Sequence, residues 1–143
     1  MANYAQGQFV PKNAEKYIGK GIPKYRSGWE FQVMTFLDSN KSITKWASES
    51  IAIPYMNPLT GKRANYIPDF FIVYTNKFGH QIAEIVEVKP KSQTSLTEAR
   101  SKHDQAHAIV NMAKFAAANA YCKQNGFTFR VISEMDIFRN GKR

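Results

Sequence analysis

Apolar residues along the chain fall into separated groups, and their spacing changes from one group to the next. Ser27-Gly28-Trp29-Glu30 has the form of a capping box, a serine to cap free amides and a glutamate three residues on to reach back. Trp29, Val33, Phe36 and Leu37 then recur at helical spacing, and Asp38-Ser39-Asn40 ends the run. Ile51-Ala52-Ile53 reads as a short strand stopped by Pro54, followed by turn chemistry at Asn57-Pro58-Leu59-Thr60-Gly61. Tyr66 to Thr75 is rich in aromatic and β-branched residues and predicts a strand. Asn76-Lys77-Phe78-Gly79 is a turn, and Gln81 to Lys89 is the returning strand, stopped by Pro90. Ser95-Leu96-Thr97-Glu98 is a second capping box and predicts a long helix to about Gln124, with Asn125-Gly126 as its stop. Its stripe of Ala99, Ala106, Val110, Ala113, Ala117 and Ala120 is mostly small, which lets a helix lie close to a sheet. Phe127 to Ile132 is the last strand. The order α-β-β-β-α-β predicts an α/β sandwich, a mixed sheet flanked by helices.

Residues 1–24 break these patterns. Gly7, Pro11, Gly19, Gly21 and Pro23 stand among polar residues, so a basic extended arm with no regular element is expected, with a solvated tail as the plainer reading. The domain then spans 25–138, and 139–143 form a basic tail. With 143 residues there is room for one domain with a real core. A net charge of +9 changes the picture more, because it points to a polyanionic partner, nucleic acid before membrane surface. No apolar run suits a spanning helix or a secretory signal, and a single cysteine, Cys122, excludes a disulfide framework and a Cys-based zinc site. These features predict a soluble intracellular protein that acts on or beside nucleic acid.

The hairpin of residues 66–89 carries the candidate chemistry. A turn centred on Phe78 sets Asp69 opposite Glu87, with Cβ atoms roughly 4.5–5.5 Å apart. Glu87 and Lys89 are two apart and share a face. Like charges opposed on paired strands repel, and a divalent cation between them removes the repulsion. Hard cations such as Mg²⁺ or Mn²⁺ take oxygen ligands, which Asp69, Glu87 and the carbonyl of Val88 would supply. Lys89 beside them would orient or deprotonate a water, or stabilise charge developing on phosphorus. The plainer alternative is ordinary strand charge, with Lys89 pairing one carboxylate.

Pro68-Asp69 with Glu87-Val88-Lys89 resembles the signature of the PD-(D/E)xK nuclease superfamily, and the α-β-β-β-α-β order resembles its restriction-endonuclease-like core. Tyr25-Arg26-Ser27-Gly28-Trp29-Glu30, Ile53-Pro54-Tyr55, Tyr66-Ile67-Pro68-Asp69-Phe70 and Glu87-Val88-Lys89-Pro90 resemble, within it, the head-completion nucleases of T-even-type tailed bacteriophages. The N-terminal nuclease domain of the Tn7 transposase is a more distant likeness. The resemblance implies a Mg²⁺- or Mn²⁺-dependent DNA endonuclease with Glu30, Asp69, Glu87 and Lys89 as its catalytic set, Glu30 reaching the metal from the first helix. It implies work in phage head completion after DNA packaging, in the host cytoplasm or in the virion head, beside head and portal proteins and away from membrane. Alternatives are a DNA-plugging head protein with a vestigial site, or a nuclease of transposition, restriction or repair.

Arg26, Lys62, Arg63, Lys91 and Lys102 flank the proposed site and are candidates for phosphate contacts, each alone being ordinary surface charge. Gln105 is a further candidate, where several relatives of the superfamily place a polar residue, although Ile109 stands where those relatives often carry a tyrosine. His103 and His107 read as satisfied core or surface residues, Glu49 and Glu84 as solvated, and Cys122 as a small packed residue.

Overall fold

Ser27 caps the first helix as its sequence requires: its Oγ accepts a hydrogen bond from the Glu30 N–H at 3.1 Å. That helix, α1 (Gly28–Ser39), follows two short paired strands, β1 (Gly7–Gln8) and β2 (Lys24–Tyr25). After it come β3 (Ile43–Ser48), β4 (Ile53–Met56), β5 (Arg63–Tyr66), β6 (Phe70–Thr75), β7 (Gln81–Val88), α2 (Lys102–Asn125) and β8 (Thr128–Ile132). The computed structural model describes residues 6–94, 99–133 and 136. The second capping box, Ser95 to Glu98, and the 139–143 tail lie outside the described residues. α2 starts instead at Lys102, where Ser101 Oγ accepts from the Asp104 N–H at 3.0 Å. It ends at Gly126, whose φ of 73° suits glycine.

The main sheet has the order β3-β6-β7-β8, antiparallel except for β7 with β8. The α-β-β-β-α-β core is therefore present, but its first strand is β3, not 51–53. Alternation hides β3 because a register shift between Ile43 and Lys45 breaks the period of two. Residues 53–56 and 63–66 form a separate two-stranded hairpin, β4-β5. Tyr66 to Thr75 is accordingly two strands and not one. Pro68 has no N–H to give a ladder, so the chain leaves the small hairpin there and enters the main sheet at Phe70.

Alternation in β6 and β7 assigns the two faces. Phe70, Ile72, Val86 and Val88 pack with Trp46, Val33, Met34 and Leu37 under α1. Ile85 and Phe71 pack with Phe129, Ala118 and Cys122 under α2, with Ile53 and Tyr66 of the small hairpin joining them. The buried face of α1 includes Met34, fully buried, while Phe36 of the expected stripe is 50% exposed. The inward face of α2 is likewise rotated from the alanine stripe: Ala108, Asn111, Ala118 and Cys122 are the buried positions. Asn111 Nδ2 donates to the Gln93 carbonyl at 2.8 Å, tying α2 to the turn that leaves β7.

The arm is where the structure departs most from the sequence expectation. Phe9 is buried in the core under α1, and its N–H donates to the Pro23 carbonyl. Ile18 N–H donates to the Trp46 carbonyl at 2.9 Å and Tyr17 bridges to Trp46, so residues 17–18 cover the free edge of β3. The anchor is Asp38, 4% exposed at the end of α1. Its carboxylate accepts from the N–H groups of Lys12 (2.9 Å) and Asn13 (3.0 Å), and its carbonyl accepts from Asn13 Nδ2 and Lys16 Nζ. Two of the glycines and prolines that argued against regular structure serve this path: Pro23 receives Phe9, and Gly21 turns with a φ of 65°.

Hydrogen bonds to a charged acceptor contribute about 1.5–3 kcal/mol each, and burial leaves their donors without water when the acceptor goes. Asp38→Ala is expected to lower stability by roughly 2–4 kcal/mol in urea unfolding. It should also expose residues 9–24 to limited proteolysis ahead of the rest of the chain.

Candidate active site

Asp69 lies just before β6, at the point where Pro68 interrupts the ladder. Its backbone groups therefore bond outside a regular ladder: the N–H donates to Glu87 Oε1 at 3.1 Å, and the carbonyl accepts from the Glu49 N–H at 3.0 Å. The β6-β7 register pairs Phe70 with Val86, so the next pair outward is Asp69 with Glu87, as the turn at Phe78 predicts. The side chains reciprocate, because Val88 N–H donates to Asp69 Oδ2 at 2.7 Å. Glu87 shares its face with Ile85, so the site opens beneath α2.

Glu87 is held from a third side by Tyr66, whose hydroxyl donates to Oε1 at 2.8 Å. Its other oxygen, Oε2, lies 3.6 Å from Lys89 Nζ. Each carboxylate thus gives one oxygen to hydrogen bonds within the protein. Asp69 Oδ1 and Glu87 Oε2 make no hydrogen bond to the described residues.

Burial, and then the charge of Glu87, push the Asp69 carboxyl up to about 8, against the hydrogen bond from Val88. Burial raises Glu87 as well, opposed first by Lys89 and then by the Tyr66 hydroxyl. Burial and mutual repulsion thus favour a proton shared by the pair, because charging two buried carboxylates in contact is unfavourable without a compensating cation. Glu30 is also raised, chiefly by burial, and Asp69 and Lys89 are within its electrostatic reach. Its Oε1 accepts from the Arg26 N–H at 3.1 Å, so it closes a capping interaction one residue before the Ser27 cap. Among the described residues no three acidic, histidine or cysteine side chains stand ready as a metal-ligand set.

Residues 40–134 match the family described as TnsA-like endonuclease N terminal. The chain belongs to the TnsA-like endonuclease family. It is also 34% identical, over 141 residues covering 90% of each chain, to the head completion nuclease of Enterobacteria phage T4. Both findings agree with the PD-(D/E)xK resemblance. Asp69, Glu87 and Lys89 fall inside the TnsA-like match, whereas Glu30 precedes it.

The remaining candidates divide in this TnsA-like domain. Arg26 donates from Nε and Nη2 to both oxygens of Glu49, at 2.9 and 3.0 Å. Glu49 is therefore paired and not simply solvated, and it adopts a φ of 51°, uncommon for a residue with a Cβ. Lys62 and Arg63 are exposed at the end of the β4-β5 hairpin, Lys91 on the turn after β7, and Lys102 at the start of α2. Gln105, His103 and His107 are exposed on the first turns of α2, away from its buried positions. Glu84 is buried and not solvated, with Thr128 Oγ1 donating to it and Arg130 3.1 Å away. Cys122 is buried, its Sγ 3.5 Å from the Thr128 carbonyl.

Sequence reasoning passed over Tyr66, Glu49 and Lys114. Lys114 extends from α2 over the rings of Tyr55 and Tyr66, at 5.8 and 5.6 Å from their centroids. It sits three residues after buried Asn111 and four before buried Ala118, and a lysine at that helical spacing was the legible signal.

The raised carboxyl has a consequence for stability. A folded value near 8 lies above the unfolded value of about 3.9, so the contribution is complete at low pH and is lost as pH rises toward 8. In EDTA, wild-type stability relative to Asp69→Asn is expected to fall by roughly 2–5 kcal/mol between pH 4 and pH 8. Urea unfolding at several pH values checks this, and a difference flat across that range contradicts it.

Proposed function

We propose that the chain is a metal-dependent DNA endonuclease acting at head completion in a tailed bacteriophage. One observation carries the chemistry: Asp69 and Glu87 oppose each other with one free oxygen apiece, and Lys89 Nζ is 3.6 Å from Glu87. The likeness to a protein named head completion nuclease, over 90% of each chain, supports the setting.

Mg²⁺ or Mn²⁺ fits this donor set, since both prefer oxygen ligands and two buried carboxylates oppose each other with Lys89 as the cation beside them. Asp69, Glu87 and the carbonyl of Val88 would hold the ion, with Glu30 joining once its side chain leaves Arg26. When bound, the ion supplies Lewis acidity, making water a stronger nucleophile and offsetting charge on the phosphate. Tyr66 and the Asp69 N–H keep Glu87 in place. Lys89 directs its ammonium at the attacking water or at a non-bridging oxygen. Arg26, Lys62, Arg63, Lys91 and Lys102 hold the DNA backbone, Arg26 by exchanging Glu49 for a phosphate. Such contacts read charge and not base edges, so cleavage is weakly sequence-dependent and steeply salt-dependent. Residues 25–138 carry the nuclease, with the preceding segment completing its core. A nuclease of low sequence preference must be confined, and docking to head or portal proteins in the host cytoplasm, with retention in the virion head, would do so.

The direct test is incubation with supercoiled, linear and branched DNA, with and without Mg²⁺ or Mn²⁺. Asp69→Ala and Glu87→Ala should each abolish cleavage while remaining folded. Mn²⁺ should raise the melting temperature of the wild type and of neither variant, since a ligand of the folded state stabilises it. An unchanged Mn²⁺ response in both variants would remove the metal site. Normal head assembly by Asp69→Ala would favour a DNA-plugging protein instead.

Glu30 separates cap from catalyst. Loss of a cap costs about 0.5–2 kcal/mol and leaves turnover nearly intact. Glu30→Gln keeps an oxygen that can accept from Arg26, and it is expected to melt near the wild type yet lose most cleavage. Cleavage at the wild-type rate would return Glu30 to a purely structural role.

A further inference from the structure

Among the described residues Lys114 has no acidic partner within ion-pair distance and no hydrogen bond, although it is half-buried. Its ammonium rests on two aromatic faces. Tyr66 beneath it is the same residue that donates to Glu87 at 2.8 Å, so the lysine stands over the support of the carboxylate pair. Lys89, Glu87 and Asp69 all act on it electrostatically. A second ammonium this close to Lys89 is unfavourable unless something negative comes between them. Asp69 and Glu87 act on Lys114, but among the described residues no ion pair involves it. The ammonium of Lys114 is therefore held on Tyr66, the support of Glu87, with no anionic partner among the described residues.

We propose that Lys114 receives a non-bridging oxygen of the phosphate being cleaved, as a second cationic contact beside Lys89. The assignment rests on the endonuclease reading above and adds a residue to it. In the hydrolysis, the oxygen of water bonds to phosphorus and one P–O ester bond breaks. The proton lost by the water passes through solvent, and the departing alkoxide takes one up. Negative charge on the non-bridging oxygens grows as the water oxygen adds. Two ammonium groups on the same phosphoryl group match that growth better than they match the single charge of the resting diester. The two rings place the ammonium itself, so the charge is positioned before the phosphate arrives.

The test uses the full chain with Lys114→Met, Lys114→Gln and Lys114→Arg. Three quantities are read: the single-turnover cleavage rate at saturating protein, DNA affinity in EDTA where no cleavage occurs, and melting temperature. Lys114→Met and Lys114→Gln are expected to lose about 10²-fold in rate. Their DNA affinity should stay within about threefold of the wild type, since the contact strengthens in the transition state. Melting should be unchanged or higher, because an unpaired half-buried charge has been removed, and Lys114→Arg should recover part of the rate. A wild-type rate in the two neutral variants, or a loss of affinity with the saturated rate intact, would overturn the assignment while leaving the endonuclease reading standing. A wild type that cleaves no DNA under any metal condition would overturn both.

Discussion

Two carboxylates placed directly opposite one another on paired strands repel, and burial makes the repulsion worse. The surroundings of Asp69 and Glu87 are arranged to hold that pair in place regardless. Each carboxylate is tied by a backbone N–H from the partner side: Asp69 N–H to Glu87, and Val88 N–H to Asp69. The exchange is available only because Pro68 interrupts the ladder at that level, leaving the Asp69 N–H outside regular sheet pairing. Tyr66, on the strand just before the interruption, adds its hydroxyl to the same oxygen of Glu87. Burial and the opposed charges favour a proton on the pair, and that preference marks where a cation is wanted.

Support for this geometry extends well beyond the hairpin. The carbonyl of Asp69 is held by the Glu49 N–H at the end of β3, and Glu49 takes an unfavourable φ to do so. β3 is an edge strand, and its free edge is covered by residues 17–18 of the N-terminal segment. That segment is anchored in turn by buried Asp38 at the end of α1. A continuous path of hydrogen bonds and packing therefore runs from residue 12 to the catalytic candidates. The basic N-terminal segment is one wall of the domain over its described length, with Lys16 tied to the carbonyls of Asp38 and Asn40 and Lys12, Lys20 and Lys24 exposed.

What the sequence disclosed followed from local rules that tertiary structure did not override. The turn at Asn76 to Gly79 set the β6-β7 register, and the register set Asp69 against Glu87. Ser27 and Gly126 marked a helix start and a helix stop because each satisfies backbone groups that nothing else nearby could satisfy. The failures share one cause: interactions that only the folded chain creates. β3 lacks alternation because a register shift interrupts it, and its importance lies in Trp46, which packs against a segment far away in sequence. The arm looked unstructured because its path is held by Asp38, about 25 residues distant, and not by its own periodicity. Lys114 and Tyr66 are ordinary residues in sequence, and they meet beside the carboxylate pair only when α2 crosses the small hairpin.

Glu30 shows how stability and the proposed chemistry compete for one side chain. In the structure it belongs to the start of α1, receiving the Arg26 N–H while Ser27 receives its own. Arg26 in turn is engaged with both oxygens of Glu49, which is the residue bracing Asp69. The two links use different groups of Arg26, its backbone N–H on Glu30 and its guanidinium on Glu49, so the guanidinium can leave Glu49 without releasing Glu30. If the Arg26 guanidinium turns to DNA, its backbone N–H stays on Glu30, but the charge of Glu49 is uncovered beside the site, which favours drawing a cation inward. The exposed ion pair itself contributes about 0–1 kcal/mol, small enough for a phosphate contact to replace it. Metal and DNA would then be coupled through the charge of Glu49, which the Arg26 guanidinium covers in their absence.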